Sequence, residues 1–236
     1  MAWLLLHYQP TTLFSLKSSI ATSTVGRSLV IPTPYAIKMA FVDAAFRAGW
    51  EESKCRQLVE DLAKVWVRIK PAVESVVTQT IQKIRQEGKD RESENPYISS
   101  IAYREVVYVQ GHWIWALNLQ DNSELANDIL CLAPFVHYIG KRGSMLQFVQ
   151  SEWAESLGSE FTLPVTESLG EKLAERSRII PLDDFGPKAK FEYLNSYEQK
   201  FKPKLGEHRI RVDTLVPVTI SNCGPGFVQY SAQFAQ

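Results

Sequence analysis

The sequence predicts an α+β domain, with helices on one face of an antiparallel sheet. Three observations predict it. Both ends of the chain read as β, two helical stretches follow the first β segment, and the middle of the chain is rich in β-branched and aromatic residues. Residues 3–8 (Trp3-Leu4-Leu5-Leu6-His7-Tyr8) form the first strand. No Lys or Arg precedes this apolar run, and it is too short for a secretory signal. A Ser/Thr-rich loop follows, over 9–28. Thr33 then suits an N-cap and Pro34 the first helical position, where a missing N–H costs nothing. Ile37, Ala40, Phe41, Ala44 and Ala45 recur at helical spacing until Gly49. A second helix starts near Ser53 and places Cys55, Leu58, Val59 and Leu62 on one face. Residues 65–70 alternate, are β-branched in part, and stop at Pro71, which favours a strand over more helix.

Residues 71–100 read as an insertion. A mixed apolar and polar stretch over 76–84 precedes a charged loop over 87–96. Residues 103–109 and 112–118 are the clearest strands, and Gln110-Gly111 between them suggests a hairpin. Ser123 caps a short helix reaching about Cys131. Residues 151–185 are acidic and irregular, and 209–212, 215–218 and 227–230 are β-like again. This order suits a ferredoxin-like or RRM-like sheet built from a single domain over 1–236. Residues 151–236 complete or extend that sheet.

Composition narrows the function. Apolar residues at 45% exclude a disordered chain, and no apolar run approaches the about 20 residues that span a bilayer. Cys55, Cys131 and Cys223 are scattered, so neither a disulfide framework nor a zinc site is suggested, and a reducing cytoplasm is expected. No cofactor is implied. The formal net charge is zero, which argues against nucleic acid only if the charge is evenly spread. It is not. Residues 1–50 hold four basic residues and one acid, 151–185 hold eight acids and three bases, and 186–211 hold seven bases and three acids. Opposed patches of this kind permit a basic face that tracks phosphates, or simply a solvated face.

Four segments carry a resemblance. Ile31-Pro32-Thr33-Pro34-Tyr35-Ala36-Ile37-Lys38 resembles the Pro-Thr-Pro helix start of the Cas-five family, which belongs to the repeat-associated (RAMP) superfamily of CRISPR proteins. Thr78-Gln79-Thr80-Ile81-Gln82-Lys83 resembles the start of that family's thumb insertion. Tyr103-Arg104-Glu105-Val106-Val107-Tyr108 resembles its Arg-Glu strand, and Gly140-Lys141-Arg142-Gly143-Ser144 a Gly/basic segment after the central helix. The matches fall in order over most of residues 1–150, and the last third matches less clearly. The resemblance implies an RRM-like core with a protruding thumb at 71–100. It implies a subunit of a type I CRISPR Cascade effector that binds the 5′ handle of the CRISPR RNA. Backbone and large subunits would be its neighbours, with target DNA engaged indirectly and no membrane. The effector would serve antiviral defence or RNA-guided transposition.

The candidate RNA-binding residues follow. Lys141 and Arg142 lie between two glycines, which allow close backbone approach, and Ser144 adds a hydroxyl. The same pattern also makes an ordinary solvated turn. Lys38, one turn inside the first helix, can meet an anion at the helix start or merely solubilise the helix. Arg27 precedes that helix and can reach the same anion. Arg104 faces RNA if its strand face is open, or pairs across the sheet. Thr78, Gln79 and Lys83 line the implied thumb, unless 76–84 is an amphipathic helix. Trp113 and Trp115 share one strand face, a pattern of core more than of base stacking.

No catalytic residue is assigned. In one branch of the family this subunit cleaves precursor RNA, which needs a general base, and the chain has His7, His112, His137 and His208 to offer. His137, near Lys141, is the best placed for that minority reading, with His112 second.

Overall fold

The computed structural model describes residues 2–17, 25–87, 97–119, 122–165, 177–194, 201 and 203–233. Its centre is β1 (Trp3–Pro10), flanked by β6 (Trp113–Asn118) and β7 (Leu146–Ala154). With β3 (Trp66–Lys70) outside β6, the antiparallel order is β3-β6-β1-β7. The register puts Leu4, Leu6 and Tyr8 opposite Leu117, Trp115 and Trp113, and Ile69 opposite Trp115. All of these side chains are buried. They form one core with α1 (Pro34–Arg47), α2 (Glu52–Ala63) and α3 (Ser123–Leu132).

Trp115 illustrates the packing. Its ring stacks on Tyr8 at 4.0 Å, and Phe41 of α1 meets it edge-on at 6.3 Å. Trp113 meets Phe14 edge-on at 4.8 Å. Both tryptophans are therefore core residues and not stacking platforms. Burial alone raises the Tyr8 hydroxyl pKa well above its ordinary value, and that hydroxyl stays neutral to donate to the carbonyl of Ala133 at 2.9 Å.

Local chemistry explains the helix starts. The Thr33 hydroxyl accepts from the Ala36 N–H at 3.1 Å, and Pro34 opens α1 as expected. Gly49, just beyond the helix, adopts φ 78°. Residues 66–70 are strand, as their alternation predicts. The cap of α3 is Asn122, one residue before the predicted Ser123.

A second sheet places β10 (Arg209–Val216) between β8 (Leu163–Pro164) and β9 (Arg178–Phe185). The third has the order β11-β12-β4-β5-β2, from β11 (Val218–Gly224), β12 (Phe227–Ala232), β4 (Glu74–Glu87), β5 (Tyr97–Gln110) and β2 (Val25–Gly26). Its β2–β5 pairing is parallel, and the rest is antiparallel. The stretch 76–84 is thus strand and not amphipathic helix. It pairs with β5 along its whole length, from Glu74 opposite Gln110 to Glu87 opposite Tyr97.

The expected hairpin of 103–109 with 112–118 is not formed. Gly111, at φ 95°, turns the chain from the third sheet into the first. Val107 and Val109 complete a face shared with Val77, while Trp113 and Trp115 need the α1 side of the first sheet. Both sets of side chains enter one core from different sheets, and that burial outweighs local pairing. The acidic stretch is also more regular than predicted, because β7 runs to Ala154 and β9 covers 178–185. Most of the charged loop (88–96), residues 166–176, and Lys200 and Lys202 lie outside the described residues.

Candidate nucleic-acid interface

Residues 11–17 run as a strip between two sets of basic side chains. On one side lies the 140–145 loop. The Thr12 hydroxyl donates to the Gly143 carbonyl at 2.8 Å and accepts from the Met145 N–H at 2.9 Å. The Ser15 N–H donates to the Ser144 hydroxyl at 3.2 Å. Gly140 sits at φ 70°, and a Cβ there would come within 2.7 Å of the Leu16 side chain. The glycine thus serves close approach to the strip.

On the other side, Phe14 exchanges both backbone hydrogen bonds with Val107 of β5, at 3.0 and 2.8 Å. The Leu16 N–H donates to the Ser28 hydroxyl at 3.0 Å, and the Ser28 N–H to the Glu105 carboxylate at 2.7 Å. Gly26 pairs with Arg104. The loop, the strip, residues 26–28 and β5 are therefore one hydrogen-bonded surface. Lys17, Arg27, Lys141 and Arg142 are exposed on it, and Arg104 is half-buried. Sequence reasoning missed Lys17, because it lies in the Ser/Thr-rich loop with no basic neighbour.

Two expected residues are placed differently. Ser144 is buried, and its hydroxyl is taken by the strip. Lys38 is 1% exposed and does not solubilise the helix. Its ammonium pairs with Asp184 of β9 at 2.7 Å, beside the Phe185 ring. Burial lowers the Lys38 pKa and raises that of Asp184, and their mutual attraction offsets this only in part. A carboxylate so distant along the chain leaves no local signal around Lys38. This lysine ties α1 to β9 and offers no cation to a surface anion.

The β4–β5 ribbon divides the rest. Opposed residues share a face, so Thr78 and Arg104 lie on one side, with Thr80 and Val106. Gln79 and Lys83 lie on the other. That second face buries Val77, Val107 and Val109 at its base. Further out it exposes Ile81, Tyr103, Ile101 and Tyr97, each more than half accessible, beside Lys83 and Arg85.

The histidines sit on separate elements. His7 is 2.9 Å from the Glu152 carboxylate. His208 is buried, stacks on Tyr193 at 3.7 Å and accepts from the Lys204 N–H through Nδ1. His112 and His137 are exposed. No group of His, Cys, Asp and Glu among the described residues is arranged to hold a metal ion.

A groove of about 910 Å³ adjoins the loop. Its floor is the outer stripe of α1, including Tyr35, Met39, Asp43 and Phe46. Lys17, Tyr138, Gly140, Arg142, Asp183 and Arg209 also line it. Arg47 pairs with Asp43 at 2.7 Å and lies 5.6 Å from the Tyr138 ring centre. Burial, with the Asp43 charge behind it, raises the Tyr138 pKa.

No family model matches the chain. A CRISPR-associated protein Cas5 of Archaeoglobus fulgidus is 22% identical over 202 residues, covering 85% of this chain and 87% of that protein. The crystal structure of a CRISPR protein from Archaeoglobus fulgidus superimposes with a TM-score of 0.52 at 12% identity. It covers 99% of this chain and 93% of the other. A chain of the type III-B Cmr-beta complex bound to cognate target RNA aligns with a TM-score of 0.42 and 9% identity, over 64% of this chain and 60% of its own. The mixed α/β fold with its antiparallel sheets is shared with the Archaeoglobus fulgidus CRISPR protein, and the sequence relative is likewise CRISPR-associated. The relative that this chain resembles in sequence is a Cas5 protein, in keeping with the Cas-five resemblance of residues 31–38, 78–83, 103–108 and 140–144.

Proposed function

We propose that this chain is a non-catalytic RNA-binding subunit of a type I Cascade effector, which caps the 5′ handle of the CRISPR RNA. One observation carries the reading. The hydrogen-bonded strip of residues 11–17 joins the segments that carry Lys141, Arg142, Lys17, Arg27 and Arg104. A row of cations at a glycine-lined loop tracks a phosphate backbone, and backbone contacts fix the register of a bound strand.

The rest of the molecule fits that role. The β3-β6-β1-β7 sheet with its helices serves as an RRM-like core, and the outer part of the β4–β5 ribbon as the thumb. The ribbon's exposed Ile81, Ile101 and Tyr103 suit a protein neighbour, such as the backbone subunit, better than solvent. The large subunit would seat near the handle. Target specificity would come from base pairing by the guide, as in other RNA-guided systems. The assembly would act in the cytoplasm, in defence or in RNA-guided transposition.

Filter binding of the purified protein to repeat-derived handle RNA, in chelator, tests this. Binding that weakens in Lys141→Ala/Arg142→Ala, with the RNA left intact, supports it. Cleavage of the RNA under these conditions would establish the endoribonuclease reading instead.

A further inference from the structure

The α1 groove holds a feature that phosphate binding does not use. Asp183 lines it and is 3% exposed. Arg209 Nη2 donates to Oδ2 of this carboxylate at 2.6 Å. Among the described residues nothing hydrogen-bonds to Oδ1, which is buried, and Arg211 Nε stays 3.9 Å away. Buried carboxylate oxygens ordinarily accept a hydrogen bond, so an N–H donor in the groove would be strongly favoured there. The surroundings are flat. The Arg209 guanidinium lies over the Tyr35 ring at 4.5 Å, and Phe185 meets that ring edge-on.

We propose that the groove takes one amino-bearing base of the bound RNA, whose exocyclic amine donates to Asp183 Oδ1. This rests on the RNA-binding reading above. A partner's lysine or arginine could offer the same N–H. The groove lining carries Lys17, Arg47, Arg142 and Arg209 against Asp43, Glu52 and Asp183, a small cationic excess that favours a visitor carrying phosphates over a cationic one. The groove also opens beside Gly140 and Arg142, the loop on which the proposed RNA path begins. From Tyr35 to Phe46 the floor is about 16 Å long at the helical rise, so the RNA would reach Asp183 by following α1 from the Arg47–Tyr138 end.

Binding of two RNA octamers to the full chain tests the assignment, one all-cytidine and one all-uridine. Uridine places an acceptor oxygen where cytidine carries its amine. The wild type is expected to bind oligocytidine about tenfold more tightly. Asp183→Asn, whose amide can donate to that oxygen, should narrow or invert the preference. Ala36→Trp fills the groove from the helix surface while leaving Asp183 and Arg209 themselves unchanged, and should bring the two affinities within about twofold. It decides the matter if Asp183→Asn fails to fold. Equal binding of the octamers by the wild type would overturn the base pocket and leave the RNA-binding function standing. A preference that persists in Ala36→Trp would overturn it too. Failure of the wild type to bind either octamer would overturn both.

Discussion

Replacing Lys38 by Met should destabilise the fold by about 3 kcal/mol, although methionine is nearly as long and more apolar. Removing one partner of a buried ion pair costs roughly 3–5 kcal/mol, because the other charge is left uncompensated. Here the lower end applies. The Asp184 side chain keeps 21% exposure, and its Oδ1 still accepts from the Phe185 N–H at 2.7 Å. For a chain of 236 residues this lowers Tm by about 6–12 °C, read by calorimetry. The double variant Lys38→Met/Asp184→Leu should recover most of the loss, since burial penalises both charges. The pH dependence follows from the raised Asp184 pKa. Between the unfolded and folded values the native state holds the proton more tightly, so the cost of a charged Asp184 disappears as pH falls through this window. Without Lys38 that cost is larger. The gap between wild type and Lys38→Met should therefore narrow on acidification. A single variant as stable as the wild type, or a double variant no better than the single, would refute the argument that this pair ties α1 to β9.

Lys141→Ala/Arg142→Ala should lower RNA affinity and flatten its dependence on log salt by up to about 1.4, at about 0.7 for each phosphate the protein no longer neutralises, measured by filter binding across a salt series. Gly140→Ala should cost about 1–2 kcal/mol in denaturant unfolding, because alanine must hold φ 70° and its Cβ meets Leu16. Ile101→Ser/Tyr103→Ser on the exposed ribbon face should change stability by no more than about 0.5 kcal/mol per site. The same pair should weaken co-purification with the backbone subunit.

Local chemistry is legible in the sequence. Thr33-Pro34 marks the start of α1, alternation marks β3, and two tryptophans on one strand face mark core. Long-range pairing is not. Residues 103–109 and 112–118 read as partners because they are adjacent, yet burial sends them into different sheets. The loop cations Lys141 and Arg142 are visible as a Gly-flanked pair. Lys17 is not, since what brings it to them is a set of hydrogen bonds from a loop without periodicity. Lys38 looks like a surface cation because its partner, Asp184, lies far along the chain. Asp183 and Arg209 are hidden for the same reason. The acidic and basic stretches at 151–185 and 186–211 cancel partly against each other, as the pairing of Arg209 with Asp183 shows.

The central claim is that RNA follows the surface from the 140–144 loop across residues 11–17 to β5. Photo-crosslinking of the intact protein to handle RNA carrying 4-thiouridine at each position, with the adducts mapped by mass spectrometry, tests it most directly. The account predicts adducts on peptides containing Lys17, Arg27, Arg104 and Lys141–Arg142, in an order that follows the strand. Adducts confined to other surfaces, such as the exposed faces of α2 and α3, would contradict it.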